Sequence, residues 1–373
     1  MAKRALVTGA TGQDGSYLCE LLLEKGYEVT ALDRRKSVPN DNNIAHIRDK
    51  IKIELGDLND TTSINRLVAM NFDEIYNLAA QSQVHISFDQ PFYTFQVNAV
   101  GVLNFLEAIR VYSPKTKFYQ ASTSEMHGGM TSVACNEESE FHPRSPYGTS
   151  KLSAHWLVKN YREAYGLKCC SGILYNHESA RRGGQFVTRK ICDWIKLING
   201  YLESAYGKSN NNEERLMKIE YRIKEIGPLI LGNLESRRDW GYAPDYVEGM
   251  WRILNQNEIK DKSENTPMED YVLGTAVTRS VKDFVEIAFK KGLKLELVWI
   301  RGDTSFKREG ESRTYIEEFG IIKGSNTVAV RTDEKFYRPS EVNILIADPT
   351  KARRELRWIP QHTFEDLVND MLS

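Results

Sequence analysis

Between Ala5 and Ser122 short β-rich runs alternate with helical stretches: ALVTG, YLCELLLEKG, EVTALD, IKIEL, EIYNLAA and KFYQAS follow one another along the chain. Such alternation implies a parallel sheet with helices on both faces, because each strand must be carried back to the same edge before the next can pair. The first helix is expected from about Ser16 to Gly26, with Leu18, Leu21 and Leu22 on one apolar face and the glycine as its stop. A helix of similar character is expected from about Phe92 to Val111.

Past Asn176 the pattern loosens, and only short strands such as PLILG and DYVLG return to the sheet. The fold class expected is α/β, a doubly wound parallel sheet with a smaller C-terminal α/β substrate domain. Residues 1–176 form the first domain, with later returns near 233–258 and 270–290, and 177–232 with 291–373 form the second. The second domain is expected over the C-terminal ends of the strands, where open α/β sheets bind ligands. The polar stretch 204–227, SAYGKSNNNEERLMKIEYRIKEIG, looks like an insertion carrying a short helix and reads as a solvated excursion.

A length of 373 residues suits a large domain with a smaller one. Hydrophobic residues at 41%, charged residues at 27% and a net charge of -1 carry no nucleic-acid footprint. No run approaches the roughly 20 apolar residues of a membrane-spanning helix. The opening MAKRALVTGATG enters a strand and a glycine turn without an export signal, so a cytoplasmic location is expected. Cys19, Cys135, Cys169, Cys170 and Cys192 form no CxxC pair and no ligand cluster, so free thiols and no metal site are expected.

Gly9-Ala10-Thr11-Gly12-Gln13-Asp14-Gly15 follows an expected strand and opens an expected helix, the setting of a dinucleotide-binding turn. The first glycine lets the chain turn, the second lets backbone approach a pyrophosphate, and the helix start offers amide hydrogens to the anion. Asp33-Arg34-Arg35 ends the second strand, where adenine-ribose is read. Asp33 suits the 2′-hydroxyl of NAD, whereas Arg34 and Arg35 can pair with the 2′-phosphate of NADP, and the arginines favour NADP. Asp57-Leu58 and Leu78-Ala79-Ala80-Gln81-Ser82 close the third and fourth strands, where adenine and ribose would lie.

Tyr147 and Lys151 are four residues apart on an expected helix, hence on one face. A phenol ordinarily titrates near ~10, and a neighbouring ammonium favours the phenolate that can take a proton from a sugar hydroxyl. Ser122-Thr123-Ser124-Glu125 ends the KFYQAS strand and puts hydroxyls and a carboxylate at the same rim. Once a sugar is oxidised at carbon 4, the carbon 5 proton becomes acidic enough for a placed carboxylate to remove, and the carbon 6 hydroxyl then leaves. Arg181, Arg182, Arg189, Lys190, Arg237, Arg238 and Arg338, mostly in loop-like segments, could neutralise a diphosphate.

Together TGATGQDGSYL, NLAAQSQV, FYQASTSE, PRSPYGTSKL, NHESARRG, FVTRK, LGNLESRRDWG and FYRPSEV resemble the GDP-mannose 4,6-dehydratase family of extended short-chain dehydrogenases/reductases, over nearly the whole chain. The resemblance implies a Rossmann domain, bound NADP and GDP-mannose as substrate, converted to GDP-4-keto-6-deoxymannose by internal hydride transfer from carbon 4 to carbon 6. It makes Thr123, Glu125 and Tyr147 catalytic, with Lys151 holding the ribose and tuning Tyr147. His177, Arg182 and Tyr93 would touch the cofactor. Ser82, Ser124, Glu125, Asn176, Val187, Lys190, Arg238, Arg338 and Glu341 match positions used around the GDP-sugar, and a homodimer or homotetramer is expected. Dehydration of another GDP-sugar, such as GDP-manno-heptose, and nucleotide-sugar epimerisation are the competing readings. Several residues depart from the family pattern: Asp33 for an apolar residue, Gln83 for histidine, Ala180 for proline, and Asn43 for an arginine near subunit contacts. Met126-His127 replaces an aliphatic and an aromatic residue, and His127 reads either as packing or as a titratable group that alters pH dependence.

Overall fold

The structure is a computed structural model and describes residues 2–373 except 36, 38–40, 130–132, 207–211, 307–314 and 339. It divides into two compact units, the first comprising Met1–Arg181, Arg238–Thr278 and Ile344–Phe364, the second Arg182–Arg237, Arg279–Asn343 and Glu365–Ser373. Residues 344–364, read from the sequence as part of the second domain, lie in the first unit, while 279–290 lie in the second. The reason is tertiary: Trp358, 2% exposed, enters the first unit's core and its Nε1 donates to Asp245 O at 2.8 Å.

In the first unit β1 (Arg4–Thr8), β2 (Glu28–Asp33), β3 (Lys52–Leu55), β4 (Glu74–Asn77) and β5 (Lys117–Thr123) are the five strands first expected, and β6 (Cys169–Leu174) follows them. The short β7 (Asn176–Glu178), β8 (Leu229–Leu231) and β9 (Arg237–Tyr242) precede β10 (Tyr271–Leu273), which joins the sheet edge. The sheet order is β10-β6-β5-β4-β1-β2-β3, parallel throughout. Strand order therefore reverses between β1 and β4, the switch point at which open α/β sheets bind ligands.

One face of this sheet buries Leu18, Cys19 and Leu22 of α1 (Gln13–Glu24) beside Ile44 and Ile47 of a 3₁₀ segment, Asn42–Lys50. The opposite face takes Ile64, Leu67 and Val68 of α2 (Thr61–Val68), which Asp60 caps by accepting from the Thr62 and Ser63 amides. The helix expected over 92–111 is not uniform. After the short α3 (Val84–Asp89) it runs as α4 (Pro91–Phe95), a π-helical turn Gln96–Val100, and α5 (Gly101–Tyr112). Beside α5, α6 (Pro146–Tyr165) starts at Ser145, whose Oγ accepts from Gly148 N at 3.0 Å, and stops at Gly166 in the left-handed conformation.

In the second unit α7 (Val187–Tyr206) buries Ile191, Ile195 and Ile198. The 204–227 stretch holds α8 (Asn212–Ile226), fifteen residues long, which packs on α7 with Ile219 and Ile223 buried. It is thus a packed helix rather than a solvated excursion, because Leu216, Ile219 and Ile223 recur at helical spacing on one face. In the first unit α9 (Ala243–Leu254) packs on α1 and leads to α10 (Gln256–Ile259). After the short β11 (Thr278–Ser280), Ser280 and Asp283 form a capping box on α11 (Val281–Ala288). β12 (Leu297–Phe306), β13 (Tyr315–Ile322) and β14 (Val328–Thr332) pair antiparallel in that order, and β14 pairs parallel with β8. The chain closes with α12 (Thr350–Leu356) and α13 (Phe364–Leu372). Among the described residues the five cysteines are free and no cluster could hold a metal ion. No described helix is long and apolar enough to cross a membrane.

Candidate active site

Parallel strands end at one edge, so the turn after β1, Asp33-Arg34-Arg35 after β2, Leu78–Ser82 after β4 and Ser124–Glu125 after β5 share one rim of the sheet. Gly9 has φ +69, and a Cβ there would lie 3.0 Å from Ala79 N; a Cβ on Gly15 would lie 2.2 Å from Gly9 O. Only glycine fits either position, which lets the turn press against both β4's end and its own helix. Asp60, Ser145 and Ser280 cap their helices with side chains, whereas α1 begins at Gly12 without such a bond. That first turn therefore suits an outside anion such as a pyrophosphate, and the residues fit a dinucleotide.

Thr8, which the sequence reading passed over, fixes the adjoining loop. Its hydroxyl donates to Asn77 Oδ1 at 2.8 Å and accepts from Leu78 N at 3.0 Å and Ala79 N at 2.9 Å. Asn98 holds the rest: Gln81 N donates to its Oδ1 at 2.9 Å, and its Nδ2 donates to Gln81 O at 3.0 Å and Ser150 Oγ at 3.1 Å. Ser150 Oγ donates in turn to Tyr147 O at 2.8 Å, so the β4 loop and the start of α6 are tied together. A signal for Thr8 and Asn77 was available, since each is a polar residue closing a buried strand.

At the second strand, Arg34 is exposed and its Nη1 donates to Tyr93 OH at 2.8 Å, joining two residues independently read as cofactor-binding. Arg35 is exposed beside it. Asp57 Oδ1 accepts from Asn59 N at 2.9 Å, and Leu58 is buried beneath that turn. His177 is locked from both sides. Its Nδ1 lies 2.7 Å from Tyr175 O and its Nε2 2.9 Å from Asp14 Oδ2, while the ring stacks on Tyr246 with centroids 4.5 Å apart. Gln13 Nε2 donates to His177 O at 3.1 Å, which binds the helix start to β7.

The β5 end carries the carboxylate. Thr123 Oγ1 accepts from Glu125 N at 3.3 Å and shapes the 3₁₀ turn Ser124–Met126, in which Ser124 and Glu125 are buried. A Cβ on Gly148 would sit 2.9 Å from Glu125 O, so glycine in the first turn of α6 permits close approach to this turn. Tyr147 and Lys151 lie on the buried face of α6. Lys151 Nζ donates to Ala121 O at 2.9 Å, and burial lowers its titration to about 8 against the opposing pull of Asp14. Thr123, Glu125, Tyr147 and Lys151, singled out from the sequence, thus lie at the end of β5, in the turn that follows it and on α6.

His127 is a packing residue. Its ring stacks on Phe141 at 5.0 Å, its Nδ1 lies 3.4 Å from Glu140 O, and burial holds its titration down to about 4. The imidazole is therefore neutral through the physiological range and cannot serve there as a pH-sensing group.

Asn176 and Arg238 lie on paired strands of the first unit, with Asn176 opposite Trp240 and Arg238 buried. Arg182, Val187, Lys190, Arg338 and Glu341, also singled out from the sequence, lie in the second unit. Lys190 Nζ donates to Ile230 O at 2.7 Å and sits 3.8 Å above the Phe336 ring; burial lowers its titration. Glu341 accepts from Arg338 N at 2.9 Å and from Ser236 Oγ at 3.4 Å. The Arg182 guanidinium lies 3.6 Å over Phe186, and Val187 opens α7.

The sequence matches the family model described as GDP-mannose 4,6 dehydratase over residues 6–221 and 203–371. It is 43% identical to the GDP-mannose 4,6 dehydratase of Drosophila melanogaster over 382 residues, covering 100% of this chain and 85% of that protein. Identity to the GDP-mannose 4,6 dehydratase of Homo sapiens is 42% over 380 residues, covering 99% and 90%. In fold the chain is similar to a dTDP-glucose 4,6-dehydratase from Streptomyces venezuelae solved with NAD and TYD bound, with a TM-score of 0.72 at 20% identity, covering 99% of this chain and 95% of that one. A UDP-glucose 4-epimerase from Thermus thermophilus, solved with NAD, gives a TM-score of 0.71 at 21% identity, covering 99% and 97%. With a family match across both units and relatives above 40% identity over the whole length, the chain belongs to the GDP-mannose 4,6-dehydratase family.

Proposed function

We propose that this chain dehydrates GDP-mannose to GDP-4-keto-6-deoxymannose, with NADP as its cofactor. The observation that carries the reading is a buried carboxylate, Glu125, in a turn that Gly148 brings against the start of the Tyr147–Lys151 helix. Epimerisation that only oxidises and re-reduces carbon 4 has no use for that carboxylate. When bound, the dinucleotide supplies a reversible two-electron acceptor beside the sugar. Tyr147 accepts the proton of the carbon 4 hydroxyl, and the Lys151 charge one helical turn away stabilises the phenolate. Glu125 then removes the carbon 5 proton, made acidic by the adjacent ketone. The carbon 6 hydroxyl departs with that proton as water, the hydrogen taken from carbon 4 is restored at carbon 6, and the proton held by Tyr147 passes to carbon 5, which regenerates the phenolate. Thr123 shapes the Glu125 turn through its hydroxyl.

Arg34 and Arg35 supply planar donors suited to a 2′-phosphate, and this supports NADP over NAD. Asn176, Val187, Lys190, Arg238, Arg338 and Glu341 are assigned to the GDP-sugar from their match to the family's motifs. The same family membership supports work in the cytoplasm as a homodimer or homotetramer. Incubation of the purified protein with GDP-mannose and NADP should yield a nucleotide sugar lighter by one water, with no net change in nicotinamide absorbance. Recovery of GDP-mannose unchanged would remove the substrate assignment.

A further inference from the structure

The dinucleotide turn has a second support, from the segment that follows the second strand. Asn43 lies in the first turn of the 3₁₀ segment Asn42–Lys50, and its Nδ2 donates to Thr11 O at 3.0 Å. On the other side of the same peptide, Gly12 N donates to Gly9 O at 2.9 Å. Both ends of the Thr11–Gly12 peptide plane are therefore held, one by the turn itself and the other by Asn43.

The segment that carries Asn43 is fixed on α1. Ile44 and Ile47 are buried in the core beside that helix. His46 Nε2 lies 2.6 Å from Glu20 Oε1, and Arg181 Nη1 lies 2.6 Å from the same oxygen while also donating to Ser16 Oγ at 3.0 Å. Asn43 is thus presented to Thr11 from a rigid base.

We propose that Asn43 is a positioning residue for the cofactor turn. A peptide unit carries a dipole of about 3.5 D, and its oxygen end repels an anion. By drawing the Thr11 carbonyl toward itself, Asn43 keeps that oxygen from swinging toward the pyrophosphate and leaves the first-turn amides of α1 facing the anion. This inference rests on the reading of Gly9–Gly15 as the dinucleotide turn.

The test is direct titration of the full-length protein with NADPH, NADH and ADP-ribose, by quenching of intrinsic fluorescence and by calorimetry. Asn43→Asp keeps the side chain's shape but sets an acceptor against the Thr11 oxygen and brings a negative charge near the pyrophosphate. Affinity for all three probes should fall at least about 50-fold, and Asn43→Ala should lower all three about 5- to 20-fold. Because all three probes share the pyrophosphate, the loss should be equal across them. At saturating NADP, kcat should return to the wild-type value. A purely structural role would lower the melting temperature without this common loss of affinity. If both variants fold and bind the three probes as wild type does, or lose affinity only for probes with a nicotinamide ring, Asn43 does not position the turn. Wild-type protein that binds none of the three would instead refute the dinucleotide reading, and the role of Asn43 with it.

Discussion

Lys151 holds a charge where the fold disfavours one, so Lys151→Met should make the apo-protein more stable and less active. The side chain is 4% exposed, and burial brings its titration from 10.5 to about 8. At about 1.4 kcal/mol per pH unit, keeping the ammonium charged in the folded state costs about 3 kcal/mol. Methionine follows the aliphatic stem and removes that cost. The lost hydrogen bond to Ala121 O subtracts about 1 kcal/mol, and the oxygen is not orphaned, because Gln120 Nε2 also donates to it at 2.9 Å. A net gain of about 2 kcal/mol is expected at pH 7. The pH dependence has a definite sign. A lysine whose folded value lies below its unfolded value imposes its full penalty below about 8, and the penalty fades as pH rises toward the unfolded value. By pH 9.5 the variant should therefore be within about 1 kcal/mol of wild type. Urea denaturation of the apo-protein at pH 7 and pH 9.5, followed by tryptophan fluorescence, measures both values. A variant less stable than wild type at pH 7, or a gain that does not change with pH, would show that burial of the ammonium has been misjudged.

Three further outcomes follow from the site. Glu125→Gln should lower dehydration about 10²- to 10⁴-fold while leaving NADPH affinity unchanged; turnover at the parental rate would show that another base acts. His127→Phe should leave the pH–rate profile between pH 5.5 and 8 in place, because the imidazole titrates at about 4. Its advantage over wild type in thermal stability should grow as pH falls from 6.5 toward 4, the window in which the unfolded imidazole charges and the buried one does not; a shifted rate profile would contradict this. Asp33→Asn should tighten NADPH binding about fivefold or more and weaken NADH, by removing a negative charge from the 2′-phosphate side. Fluorescence titration reads both, and tighter binding of NADH than of NADPH by wild type would overturn the choice of cofactor.

What the sequence disclosed was local, and what it withheld was long-range. The strands β1 to β5 were legible because each is a short β-rich run between helical stretches, and the Gly9–Gly15 turn because its glycines meet sharp steric demands. Tyr147 and Lys151 could be put on one helical face by spacing alone. The π-helical turn Gln96–Val100 left no such mark, since a shift in hydrogen-bond partner requires no particular residue. Asn98 and Asn43 reach partners 17 and 32 residues away, so their roles depend on which loops the fold brings together. For the same reason Trp358 could not be assigned from sequence to the core it enters, and the return of residues 344–364 to the first unit went unread. The apolar stripe of α8 was visible, but the charged residues around it made a packed helix read as a solvated excursion.

The central claim is that hydrogen removed from one carbon of the sugar is restored to another within the same turnover. GDP-mannose deuterated at carbon 4 should give a product whose new methyl group carries that deuterium, with the label retained in single-turnover reactions and read by mass spectrometry and NMR. A methyl group free of the label, in a product that has nevertheless lost water, would contradict the account.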